Sequence, residues 1–106
     1  MIDQLAIQDF ANRVGQTFHP AKIILFGSQA RGMATLTSDV DILVVIDHSD
    51  RNIRKAIEIL RTVQPSFPLD LIVRRPDEIV ERMKNNDYFL TEIYATGKVL
   101  YESSSR

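Results

Sequence analysis

Asp39-Val40-Asp41 sets two carboxylates two residues apart at the head of an apolar run, shortly after the string Gly27-Ser28-Gln29-Ala30-Arg31. Along a strand, residues two apart project to the same side, so Asp39 and Asp41 stand together and repel unless a cation lies between them. Mg²⁺ suits such a pair, because it takes oxygen ligands and keeps waters that substrate phosphates can replace. The preceding string supplies what an anion needs. Gly27 lets the main chain approach a bulky group, Ser28 adds a hydroxyl, and the following peptide N–H groups form an anion-binding turn. Arg31 offers a planar fork of donors matched to phosphate oxygens. A plain strand-to-helix turn with an exposed arginine would explain Gly-Ser alone. An Asx-type turn at Ser38-Asp39, with Asp41 exposed on a half-buried strand, competes for the acid pair. Against it, Ile42 to Ile46 is apolar at every position, which predicts burial on both faces, where an unpaired aspartate is costly.

Asp70 repeats the theme, an acid between Leu69 and Leu71-Ile72-Val73. If its strand lies beside the one that follows Asp39, three carboxylates meet. Such a cluster could hold a pair of metals that orient a triphosphate, stabilise departing pyrophosphate and help ionise an attacking hydroxyl. Read alone, Asp70 is equally an ordinary strand-end aspartate.

The elements that must position these groups are legible in the hydrophobic pattern. Leu5, Ile7, Phe10, Ala11, Val14 and Phe18 recur at near-helical spacing and predict a helix over 3–18, ended by His19-Pro20 because proline disfavours helical geometry in the preceding residue. Ile23 to Phe26 is a buried strand, 27–32 a turn leading into a short helix, and 33–38 a loop. Val40 to Ile46 is the clearest strand. Ile53, Ala56, Ile57, Leu60 and Val63 mark a helix over 51–63. Pro65 and Pro68 bracket a turn before a third strand, Leu69 to Val73. Pro76 opens the next helix with Asp77 and Glu78 in its first turn, where the helix dipole favours them. A last helix over 87–96 ends at Gly97, and Val99 to Tyr101 adds a short edge strand. The predicted architecture is α/β (α+β), a mixed sheet of three to four strands flanked by helices.

The bulk numbers narrow the class. At 106 residues, one domain over 1–102 is expected, with no second core and a disordered tail at 103–106. An apolar fraction of 44% and a charged fraction of 25% are ordinary for globular proteins. A net charge of -1 provides no general field for nucleic acid, which is not expected as a direct substrate. The absence of cysteine excludes disulfides and thiolate zinc. No apolar run approaches the roughly 20 residues of a membrane span, and the first residues lack a signal-peptide pattern, so the expected location is cytoplasmic.

The string Gly27-Ser28-Gln29-Ala30-Arg31-Gly32, followed by Ser38-Asp39-Val40-Asp41-Ile42-Leu43-Val44-Val45, closely resembles the signature of the DNA polymerase β-like nucleotidyltransferase superfamily. The short chain, with Asp70 on a following strand, is similar to its minimal nucleotidyltransferase branch. The resemblance implies that Gly27, Ser28 and Arg31 bind the triphosphate, Ser28 at its terminal phosphates. Asp39 and Asp41 would ligate two Mg²⁺ ions, and Asp70 would touch the catalytic metal and help deprotonate the acceptor. It implies transfer of a nucleoside monophosphate, AMP from ATP, to a hydroxyl. Proteins of the minimal branch are commonly paired with a small helical HEPN ribonuclease, neutralised by adenylylation of a tyrosine, so an antitoxin role is expected. Two alternatives stand beside it: neutralisation by occlusion without chemistry, and transfer to a small molecule, for which a homo- or hetero-oligomer would have to supply the missing wall.

The remaining features favour structural readings. Arg74-Arg75 is either solvated or able to reach phosphate or a partner's acidic face; Arg51, Arg54, Lys55 and Arg61 are the wet face of their helix. His19 and His48 lack a second ligand for zinc. Tyr88, Phe89, Tyr94 and Tyr101 suit core packing, with a partner surface as the other option.

Overall fold

The computed structural model describes residues 3–32 and 39–103; the predicted loop over 33–38 and the end of the predicted tail lie outside them. The order is α1 (Gln4–Phe18), β1 (Lys22–Phe26), β2 (Val40–Val45), α2 (Asn52–Thr62), β3 (Leu69–Arg74), α3 (Pro76–Lys84), α4 (Tyr88–Thr96) and β4 (Lys98–Glu102). The sheet runs β3-β2-β1-β4. β1 is antiparallel to both β2 and β4, whereas β2 and β3, joined through α2, are parallel. This is the expected mixed sheet, now with four strands.

Strand alternation divides the interior in two. Ile23, Leu25, Val40, Ile42, Val44 and Val73 pack with Ile7, Phe10, Val14, Ala56 and Ile59 of α1 and α2. Ile24, Leu43 and Val45 pack with Ile79, Leu90 and Ile93 of α3 and α4. Both faces of β2 are therefore covered, as its unbroken apolar run predicts. Burial of these side chains, at roughly 25 cal/mol per Å² of apolar surface, is the main force holding the layers together.

Local chemistry sets the ends of the helices. Asp3 caps α1 by accepting the Leu5 N–H at 3.0 Å, and His19 closes it in the left-handed region at φ 52. Pro76 sits at the start of α3, where the Glu78 carboxylate accepts the Arg75 N–H at 3.0 Å. That carboxylate also accepts from the Asn52 amide at 2.9 Å, tying α3 to the first turn of α2.

One expectation changes. No helix forms among residues 27–32: the Arg31 N–H reaches the Gly27 carbonyl at 3.2 Å and the Gly32 N–H the Gln29 carbonyl at 3.4 Å, and Gly32 at φ 70 leaves the helical region. Gly97 ends α4 as expected, at φ -75; a Cβ there would run into Ile24 and the Ile93 carbonyl, so closeness to the sheet selects glycine. Ser103, placed in the tail by its composition, donates its N–H to the Ala21 carbonyl at 3.0 Å.

Candidate active site

The register of the sheet assembles the acids. Asp41 of β2 lies opposite Asp70 of the parallel β3 on one side and Phe26 of the antiparallel β1 on the other. Val40 and Ile42 point into the α1/α2 interior, so Asp41 between them faces the α3/α4 side. Leu69 and Leu71 likewise pack toward α1/α2, whereas Ile72 packs toward α3/α4. Asp70 thus shares the face of Asp41, one strand spacing of about 4.8 Å away. Asp39, exposed, immediately precedes β2.

Gly27 connects this row to the turn. It adopts φ +78, and a Cβ there would collide with the Asp41 carboxylate. Only glycine lets the turn come this close to the acid, and only glycine holds that backbone without strain. Beyond it, the peptide N–H groups of Ser28, Gln29 and Ala30 find no acceptor among the described residues. The Gln29 side chain is 8% exposed, and its Nε2 has no partner among the described residues. A turn rich in unspent donors therefore abuts a cluster of carboxylates.

Electrostatics reflect that grouping. Burial, then the neighbouring charges of Asp70 and Asp39, push the Asp41 carboxyl above its ordinary value of 3.8. None of the three acids forms an ion pair with a described residue. Partly desolvated like charges without a basic partner fit a divalent cation. The acids are gathered without being closed into a cage: among the described residues, no three acidic or histidine side chains form a ready-made metal-binding group. Exposed Asp39 and Asp70 keep the rotamer freedom to swing toward a cation.

Other candidate residues fall differently. Arg31 is half exposed, and its Nη1 lies 4.0 Å from Glu92 Oε2 of α4. Arg74 and Arg75 close β3 at the end away from Asp70, about 13 Å along the strand by its rise per residue. There Arg75 pairs with Asp77 at 3.5 Å, so a reach to phosphate beside the acids is excluded for this arrangement. Lys55, assigned by sequence to a wet face, lays its ammonium over the Phe18 ring at 5.4 Å. Tyr88 and Phe89 are not core residues, being 84% and 50% exposed. Phe89 meets Phe26 edge to face, with ring centroids 5.7 Å apart, which brings the start of α4 beside the acid row. The sequence placed Phe89 in the core or on a partner surface, and neither Phe26 nor Glu92 stood out in it. Phe26 reads as the end of a buried strand, and only the antiparallel register places it against Asp41.

The structure thus sets a glycine-serine turn beside a row of acids on a mixed four-stranded sheet. The chain belongs to the polymerase beta nucleotidyltransferase family, whose model matches residues 8–106. It is 31% identical over 103 residues to a "putative protein adenylyltransferase" of Methanocaldococcus jannaschii, covering 95% of this chain and 100% of that protein. Its fold is similar to that of a crystal structure described as a "putative nucleotidyltransferase" from Sulfolobus solfataricus, with TM-score 0.64 and 21% identity over 92% of this chain and 78% of the other. It is also similar to a chain of a toxin-antitoxin crystal structure with AMP-PNP, with TM-score 0.57 and 22% identity over 92% and 74% of the two chains. No described helix is long and apolar enough to cross a membrane.

Proposed function

We propose that this nucleotidyltransferase moves AMP from ATP onto a hydroxyl of a protein, and that the acceptor is a tyrosine of a small helical HEPN toxin, which it thereby neutralises. The observation that carries the transfer chemistry is the row Asp70–Asp41–Phe26, with Gly27 pressed against the Asp41 carboxylate. The M. jannaschii relative's name and the toxin-antitoxin structures of like fold support the choice of acceptor.

In this reading, the N–H groups of Ser28, Gln29 and Ala30, without an acceptor among the described residues, and the Ser28 hydroxyl receive the β and γ phosphates. Arg31 leaves Glu92 to meet them, since a half-exposed pair at 4.0 Å is held only weakly. Asp39, Asp41 and Asp70 would hold two Mg²⁺ ions, which would offset the phosphate charge and lower the cost of ionising the acceptor. The acceptor oxygen bonds to the α-phosphorus as the bond to the bridging oxygen breaks. Pyrophosphate leaves with that electron pair, and Asp70 takes the hydroxyl proton. Positioning and fixed electrostatics supply most of the acceleration.

The test combines the protein, labelled ATP, Mg²⁺ and a compact helical protein encoded beside it. Mass increments of one adenylyl group on a partner tyrosine, lost in Asp41→Asn, support the proposal. If no acceptor gains an adduct while an Asp39→Asn/Asp41→Asn variant still neutralises the partner, occlusion is the mechanism and transfer is wrong.

A further inference from the structure

We propose that Phe89, seated on Phe26, is the platform on which the base of the donor nucleotide stacks. The inference rests on the reading of the turn and acids as a nucleotide site, and it adds the part that turn and acids leave unassigned. Phe26 is the register partner of Asp41 and shares its face of the sheet. Phe89 touches Phe26 at 5.7 Å with an interplanar angle of 87°. The acids, Phe26 and Phe89 therefore follow one another across the sheet, from β3 through β2 and β1 to the start of α4.

Phe89 is held and yet open. Its edge-to-face contact fixes the ring, and half of the residue remains accessible. Asp87 accepts the Leu90 N–H at 3.0 Å and pins the first turn of α4. Glu92, one helical turn further along, faces Arg31 of the phosphate turn. α4 thus meets the nucleotide turn and its strand at two points, and at the first of them it presents the half-exposed Phe89. A half-exposed aromatic in such a place is poorly used by packing alone, whereas a purine base recovers its buried area. Stacking on a π-face reads ring size more than hydrogen-bonding edge. The platform therefore favours ATP and GTP over CTP and UTP, and separates the two purines weakly.

Isothermal calorimetry in Mg²⁺ with two probes tests this, ATP carrying the base and inorganic tripolyphosphate lacking it. Phe89→Ala is expected to weaken ATP binding about tenfold and to leave tripolyphosphate unchanged, and Phe89→Trp to restore ATP binding. Retention of the wild-type thermal midpoint shows that α4 stays folded. Unchanged ATP affinity in Phe89→Ala overturns the platform, and so does an equal loss for both probes, which would report a structural role. If the wild-type protein binds neither probe, the nucleotide site itself falls and the platform with it. Binding of both probes with no dependence on Phe89 removes the platform alone.

Discussion

Asp41 carries the largest physical tension in the site, a carboxylate partly out of water beside two others. Its folded value lies above 3.8, so the folded state binds more proton than the unfolded one between those two values. Its contribution to stability therefore falls as pH rises through that window, and above it the metal-free protein carries a standing penalty. Asp41→Asn is expected to raise the thermal midpoint at neutral pH without divalent cation, to change it little below the unfolded value, and to lower transfer by about 10²-fold or more. A midpoint lowered at neutral pH would show that Asp41 is held by an attractive partner instead. Gly27→Ala tests the close approach. The left-handed backbone costs an L-residue about 1–2 kcal/mol, and the new methyl must displace the Asp41 carboxylate. Denaturant unfolding should show at least that loss, and nucleotide binding should weaken with it. The residues of this site were largely visible in the sequence, because their signal is one of type and spacing. Phe89 was not, because an aromatic on an apolar helix face looks the same whether it is buried or left open.

At the scale of elements, Glu78 links the start of α3 to α2. Burial opposes its ionisation, but the Arg75 N–H, the Asn52 amide and the charges of Arg75 and Arg74 outweigh that, and its carboxyl lies below the ordinary 4.5. A depressed carboxyl stabilises above its unfolded value and loses that contribution as pH falls through the folded one. Glu78→Ala should cost about 1–2 kcal/mol at neutral pH, from the lost cap and bridge, and the difference from wild type should vanish below the folded value in urea titrations at stepped pH. An undiminished cost in acid would show that packing rather than the ionised carboxylate supplies the stability. Element types and bounds followed from periodicity, since α1, α2, β2 and β3 each alternate or recur without interruption. The short helix after Gly27 failed because Gly32, in the left-handed region, ends the turn after two closures. Two glycines five residues apart limit any helix between them.

Across the whole molecule, the informative fact is strand order. Parallel β2 and β3 bring Asp41 beside Asp70, and antiparallel β1 brings Gly27 and Phe26 to the same end. Neither direction nor adjacency is encoded in any one strand, so composition and periodicity left this convergence as an expectation and only the register supplied it. The same order leaves β3 and β4 as edges and sets Arg74-Arg75 at the far end from the acids. In the proposed reading, residues 27–31, 39–41 and 70 form one site for a divalent cation and a triphosphate. Amide NMR during Mn²⁺ titration, with a non-hydrolysable ATP analogue present, locates that site. Paramagnetic broadening is predicted first at Gly27 to Ala30, Asp41 and Asp70, reversed by excess Mg²⁺ and absent in Asp41→Asn. Broadening centred elsewhere, or spread evenly over the surface acids, would contradict it.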